Sequence, residues 1–140
     1  MILENQIAVV TGAGRGIGRA IALKLAGAGA DVVCVSRTEA NSQKVTDEVA
    51  ALGRKSWSVA VDVGDTMAVE SAVAKILEDT GGVNILINNA GVTRDGLLMR
   101  MSEEDWDTVL DTNLKGAFFG CRHAVEPMRA NGGGAIVNMS

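Results

Sequence analysis

A glycine-rich segment, TGAGRGIG at residues 11–18, is the first stretch whose residue types and spacing indicate chemistry. It follows an apolar run, IAVVT at residues 7–11, and precedes a helical pattern. A glycine turn between a strand and a helix binds phosphate, because the free N–H groups and the dipole of the helix point at the anion. The spacing of Gly12, Gly16 and Gly18 differs from the commoner G-x-G-x-x-G, so the loop alone is also compatible with a structural turn. Its strand–turn–helix context favours a dinucleotide site.

Two arginines indicate which dinucleotide this site takes. Arg37 follows Ser36 at the end of the second predicted strand, and Arg15 lies inside the glycine loop. An acidic residue at the end of that strand would bind the ribose 2′-OH of NAD, whereas an arginine accommodates the 2′-phosphate of NADP. The two cations therefore predict NADP(H). The alternative is that Arg37 is a solvated loop residue, and the position of Arg15 argues against it.

Polar and small residues follow the third and fourth predicted strands. Asp62 and Val63 end the third strand, and the segment NNAG at residues 88–91 closes the fourth. Ligands bind at the carboxyl edge of an open parallel sheet, so Asp62 is placed to accept a hydrogen bond from an adenine amino group. The small residues of NNAG leave room for a ribose. Each motif has an ordinary alternative, namely a turn before a helix cap at Asp65 and an asparagine-rich turn.

Asn113 is a polar residue next to the apolar face of the longest predicted helix. Asparagine is a poor helix former and needs hydrogen-bond partners if it is buried. Such a local inconsistency tends to mark function or strain, although a satisfied core asparagine is the alternative. By contrast, we predict Cys34 and Cys121 to be buried thiols that form neither a disulfide nor a metal site. We expect no catalytic role for His123, the only histidine.

Short apolar runs alternate with longer helical patterns along the chain. This alternation predicts βαβ units and a parallel α/β sheet in one domain covering residues 1–140. The predicted strands span residues 7–11, 31–36, 56–63, 83–87 and 135–140. The predicted helices span residues 16–28, 38–52 and 65–79, with a fourth, continuous helix that begins after Ser102 and ends before the glycines at 132–134.

Composition narrows the class of protein. The chain has 140 residues, 47% of them apolar and 21% charged, which is typical of one globular domain. Its net charge is −4 with no basic run, which argues against a nucleic-acid or anionic-membrane partner. No apolar stretch approaches the ~18 residues of a membrane span, and the first residues lack the basic start of a signal peptide. We therefore expect a cytoplasmic protein with no membrane partner.

Taken together, TGAGRGIG, SR at 36–37, DVGD at 62–65, NNAG at 88–91 and the asparagine of DTNLKG resemble the short-chain dehydrogenase/reductase family over the whole chain. The resemblance implies a Rossmann-like, doubly wound parallel sheet with strand order 3-2-1-4-5. The segment GVTRDGLLMRM with the following SEEDWD most resembles the bacterial 3-oxoacyl-[acyl-carrier-protein] reductases within that family. These enzymes reduce a 3-oxoacyl thioester on acyl carrier protein with NADPH in fatty-acid synthesis. The alternatives are another short-chain reductase, acting on acetoacetyl-CoA or a sugar, and a non-catalytic NADP(H)-binding or assembly module.

The resemblance also implies roles for individual residues. Asn113 matches the catalytic asparagine of the family, which holds a water in a proton relay. Arg37 matches the contact to the 2′-phosphate, and Asp62 and Val63 match the adenine pocket. The remaining matches are to the phosphate loop (Gly12, Gly14, Arg15, Gly16, Ile17 and Gly18) and to the ribose and nicotinamide side (Asn89, Ala90 and Gly91).

One departure from the family pattern shapes the functional expectation. The chain contains no tyrosine. The resemblance implies that the serine, tyrosine and lysine of the family lie toward the C-terminal half of its members, with the serine one place beyond Ser140; the alternative is a shifted register in which Ser140 is that serine. Hydride transfer to a ketone leaves an alkoxide that needs a positioned proton donor. We therefore expect a truncated reductase that is inactive or nearly so. An exposed fifth strand and an uncovered apolar helix face would also make the chain a homo-oligomer or prone to aggregate.

Overall fold

Five parallel strands form the centre of the molecule in the computed structural model, which describes all 140 residues. The strand order is β3-β2-β1-β4-β5, so the predicted fold class and topology are confirmed. Each strand has four to six residues, and helices cover the sheet, as is usual for parallel strands. Their bounds are β1 Ile7–Thr11, β2 Asp31–Ser36, β3 Ser56–Ala60, β4 Ile85–Asn88 and β5 Ala135–Asn138.

Helices connect the strands and cover both faces of the sheet. Their bounds are α1 Gly16–Gly27, α2 Glu39–Ala51, α3 Thr66–Thr80, α4 Glu103–Leu110 and α5 Gly116–Ala130, with a short 3₁₀ turn at Leu98–Arg100. The helix cap predicted at Asp65 is present, and a glycine ends the same helix. The Asp65 carboxylate accepts a hydrogen bond from the N–H of Ala68 at 3.1 Å, and Gly81 takes the left-handed conformation after α3 with φ of 83°. No helix combines the length and apolar character needed to cross a membrane.

The core consists of one apolar layer on each face of the sheet. Alternate residues of β2 point to opposite faces, so Val32 packs with α1 and α2 while Val33 packs toward α3 and α5. Both valines are fully buried. Burying one valine side chain stabilises the fold by about 1.5–3 kcal/mol, so β1 and β2, which are buried on both faces, contribute strongly to its stability. Their carboxyl ends open at a single edge of the sheet.

Several predicted elements differ in extent from those observed. β4 spans Ile85–Asn88 instead of 83–87, and β5 ends at Asn138 instead of residue 140. β3 ends at Ala60 instead of residue 63, so Asp62 and Val63 lie in the turn before α3. The long C-terminal helix is not regular, because a π-helical segment, Asp111–Lys115, separates α4 from α5. A π turn adds a residue to the helical repeat and is frequent at functional sites. Asn113 therefore lies in a dislocation of the helix that periodicity did not predict.

The predicted apolar face of this helix is largely exposed. The buried residues of α5 include Phe119, Ala124 and Met128, and the last two belong to the core layer against the sheet. A second apolar row lies away from the sheet with 37–67% of each residue exposed: Trp106, Leu110, Leu114, Phe118 and Val125. The prediction of two buried thiols is also only half right, since Cys34 is buried and Cys121 is partly exposed.

Candidate functional site

A cleft of about 710 Å³ opens at the carboxyl edge of the sheet, between the loops that follow β1, β2, β3 and β4. Every predicted cofactor residue except Asp62 lines this cleft, and Asn113 lies just outside it. Sequence reasoning assigned no cofactor contact to a further group of lining residues: Val35, Ser36, Thr38, Asn41, Val61, Val92 and Thr112. Strand-end position is a signal for some of these, but nothing in the local pattern singles out Asn41, which lies on a helix.

The glycine loop has a conformation that other residues would not adopt readily. Gly12 and Gly16 have φ of 65° and 57°, in the left-handed region. Gly18 leaves no room for a side chain, because a Cβ there would lie 1.9 Å from the carbonyl oxygen of Gly12. Arg15, at the N-cap of α1, makes no side-chain capping bond. The first turn of α1 therefore presents free N–H groups to an anion in the cleft.

A threonine joins the loops after β1 and β4. The Thr11 hydroxyl accepts hydrogen bonds from the N–H groups of Asn89 and Ala90, each at 3.0 Å, and donates to the carbonyl of Ile87 at 3.3 Å. The Asn89 side chain donates to the carbonyl of Gly12 at 3.4 Å. Two of the predicted binding segments are thus fixed to each other. Sequence reasoning missed Thr11, whose signal is a hydroxyl residue at the end of a buried apolar strand.

The charges at the cleft are of one sign. Arg15 and Arg37 are both exposed and line it, and no carboxylate does. Asp62 is exposed, and its carboxylate accepts a hydrogen bond from the N–H of Gly64 at 2.9 Å. Asp62 therefore stabilises the turn before α3, which was the alternative to a cofactor contact. Its contact with adenine stays a prediction. The adjacent Val63 lines the cleft.

Asn113 is fully engaged with the loop that follows β4. Its Oδ1 accepts from the N–H of Val92 at 2.8 Å, and its Nδ2 donates to the carbonyl of Val92 at 3.0 Å. A primary amide offers an acceptor oxygen and a donor NH₂ group, so it can pair with both main-chain groups of one residue, as no apolar side chain can. The residue is exposed, so the alternative of a buried core asparagine is wrong. Asn113 holds the main chain next to Gly91.

The π-helical segment also contacts the loop after β3. A Cβ on Gly116 would lie 2.8 Å from Val63 Cγ2, and one on Gly64 would lie 3.2 Å from Asp111 Cβ. Both glycines allow the dislocated helix to pack directly on the turn that carries Val63. Thr112, in the middle of this contact, is buried and lines the cleft. The π segment therefore joins the loops after β3 and β4.

A buried amide lies at the end of β4, beneath the cleft. The Asn88 Nδ2 donates to Asn138 Oδ1 at 2.8 Å, and a Cβ on Gly120 would lie 2.4 Å from Asn88 Oδ1. The Cys121 thiol lies 3.5 Å from the same Nδ2. On the other face, burial raises the pKa of the Cys34 thiol, and hydrogen bonds to Thr46 and Ser56 partly oppose the shift. Neither thiol reaches the cleft.

Comparisons with known proteins agree with this arrangement. The chain is 43% identical over 134 residues to the 3-oxoacyl-[acyl-carrier-protein] reductase FabG of Staphylococcus aureus, which covers 95% of this chain and 54% of that protein. It is 41% identical over 140 residues to the short-chain reductase protein NovJ of Streptomyces niveus, with 99% and 53% covered. The chain thus spans about half the length of the curated relatives it matches.

The fold comparison adds a structure with bound cofactor. The crystal structure of a metagenomic short-chain oxidoreductase in complex with NADP superposes with a TM-score of 0.95 at 38% identity, covering 100% of this chain and 64% of that one. The short chain dehydrogenase family profile matches residues 6–140. With the predicted strand order, glycine loop and cleft in place, the chain belongs to the short-chain dehydrogenase/reductase family.

Proposed function

We propose that the cleft binds NADP(H), as the coenzyme-binding part of a 3-oxoacyl-[acyl-carrier-protein] reductase. The observation that carries the choice of NADP(H) is the pair Arg15 and Arg37, which line the cleft where no carboxylate does. Arginine suits a phosphate because its guanidinium donates two parallel hydrogen bonds to an oxyanion. The NADP complex of a relative with the same fold supports the same choice.

Each wall of the cleft has a proposed part in holding the cofactor. The free N–H groups at the start of α1 receive the pyrophosphate, and Arg37 with Arg15 receives the 2′-phosphate. Val63, which lines the cleft, contacts the adenine, and Asp62, in the turn beside it, accepts from the adenine amino group with the carboxylate oxygen that does not bond Gly64. The Asn89–Gly91 segment, fixed to Thr11, contacts the ribose on the nicotinamide side.

When bound, NADPH supplies a hydride to a carbonyl carbon. The residues of this chain orient the cofactor, and the bonds from Asn113 hold the loop at Gly91 and Val92 against the nicotinamide side. The oxygen of the reduced carbonyl then needs a proton from a positioned acid. The chain contains no tyrosine that could supply one, so we propose that these 140 residues bind the cofactor but reduce little or no substrate on their own.

The substrate proposal rests on the relatives. The FabG protein at 43% identity acts, by its name, on 3-oxoacyl groups carried by acyl carrier protein. NovJ, at 41%, is a short-chain reductase with a different name, so another reductase is the second candidate. A non-catalytic nucleotide-binding module is the third, and the tyrosine-free sequence favours it for this chain in isolation.

The test is a fluorescence titration of the 140-residue chain with NADPH and NADH in parallel. Saturable binding with NADPH clearly tighter is the expected result, and Arg37→Ala should abolish most of the difference. Lys24→Ala, a cation of α1 that does not line the cleft, is the matched control. Equal affinities would refute the role of the arginines, and no binding would refute the cofactor proposal. Reduction of an acetoacetyl group on acyl carrier protein, followed as NADPH oxidation, should be slight or absent, and rapid oxidation would refute both the proposed lack of turnover and the binding-module alternative.

We also propose that the chain associates with copies of itself through the exposed row of α4 and α5. This row includes three residues that are each more than half exposed: Trp106, Leu114 and Phe118. Contiguous apolar surface of this kind marks an association site. Sedimentation at micromolar concentration should show a dimer or larger species, and Phe118→Lys should shift it toward the monomer. A monodisperse parent monomer would contradict the proposal.

A further inference from the structure

The first turn of α2 forms the wall of the cleft beside Arg37. Thr38 and Asn41 both line the cleft, and a Cβ on Gly14 would lie 2.7 Å from Asn41 Cβ, so this turn packs directly on the glycine loop. Thr38, the N-cap of α2, makes no side-chain capping bond. The positive end of α2 is therefore open on the side where Arg37 lies.

An acidic residue occupies the first position of the same helix. Glu39 is two residues from Arg37, yet it does not line the cleft. It lines a separate cavity beside β3, together with Ser58 and Lys75. The Ser58 hydroxyl donates to Glu39 Oε1 at 3.1 Å, and it lies 2.7 Å from the hydroxyl of the fully buried Ser42. Ser58 thus holds the Glu39 carboxylate on the β3 side of the helix.

We propose that Ser58 is a specificity-determining residue, which favours NADP(H) over NAD(H) by holding the Glu39 carboxylate away from the 2′-phosphate position. The proposal rests on the proposed binding of NADP(H) in the cleft. A released Glu39 would be drawn to the helix N-terminus and to Arg37, where it would repel a 2′-phosphate. A carboxylate in that place is also the group that accepts the ribose 2′-OH in NAD-binding sites. Specificity would then move toward NADH.

The experiment is a set of titrations with NADPH and NADH on the 140-residue chain and four variants. Ser58→Ala should weaken NADPH binding about three- to tenfold, as expected for one partly solvated charge repulsion, with NADH binding unchanged or tighter. In the Glu39→Gln background, Ser58→Ala should have no effect on the ratio of the two affinities. Ser56→Ala is the matched control, because Ser56 lies on the same strand and its hydroxyl donates to the carbonyl of Val32 at 3.0 Å instead.

Each outcome decides the question. An unchanged NADPH-to-NADH ratio in Ser58→Ala, with a parent chain that prefers NADPH, overturns this inference and leaves the proposed function standing. An equal loss of both nucleotides, or the same loss in the Glu39→Gln background, shows that Ser58 acts on the fold and also overturns it. A parent chain that binds neither nucleotide overturns the proposed function, and this inference with it.

Discussion

Replacing Thr11 with valine removes the hydroxyl that connects the loops after β1 and β4 while keeping the shape of the side chain. The parent hydroxyl makes three hydrogen bonds, two of them accepted from the N–H groups of Asn89 and Ala90. Leaving a buried N–H without a partner costs about 1–3 kcal/mol. Both residues are half-buried and partly reachable by water, so we expect the free energy of unfolding to fall by about 2–4 kcal/mol in total.

Urea unfolding followed by circular dichroism measures this change, and NADPH titration of the folded variant measures its effect on the cleft. Thr11→Ser is the matched control, because it keeps the hydroxyl and removes only a methyl group, for about 1 kcal/mol. We expect Thr11→Val to weaken NADPH binding, since Asn89 and Ala90 line the cleft. The reasoning is refuted if Thr11→Val unfolds at the same urea concentration as the parent, or if Thr11→Ser is equally destabilised.

Three further predictions follow from single residues. Gly18→Ala should unfold at a lower urea concentration and bind no NADPH, because the new Cβ would lie 1.9 Å from the backbone. Gly27→Ala is the control: open space surrounds that position, so its stability to urea should be unchanged or higher. Cys121 should react first with a thiol reagent, and Cys34 should react only on unfolding or at higher pH. Burial blocks access to Cys34 and raises the pKa of its thiol, which leaves less thiolate at any given pH. Equal reaction rates of the two thiols would contradict this prediction. Asn113→Leu should weaken NADPH binding with little loss of stability, because its amide bonds hold an exposed loop; unchanged affinity, measured by titration, would count against that role.

Much of the fold was predictable because the local sequence patterns favour the same strands and helices that the sheet requires. The strands β1 and β2 were predicted at their observed bounds, since a run of buried β-branched residues between turns has few other stable arrangements. The caps at Asp65 and Ser102 were equally readable, because capping depends on a few adjacent residues. The π-helical segment at 111–115 was not, since its hydrogen bonds differ from those of an α-helix by a single position.

The sequence by itself determined the family, the order of the elements and the main loops of the cleft, because glycine spacing and strand ends are local properties that the carboxyl edge of a parallel sheet brings together in one place. Only the tertiary structure decided which polar side chains face that cleft. Asp62 bonds its own loop, Asn113 pairs with Val92, and Glu39 bonds Ser58 on the β3 side of its helix. Each choice depends on a partner brought close by folding, and a hydrogen bond to that partner settles the direction of the side chain.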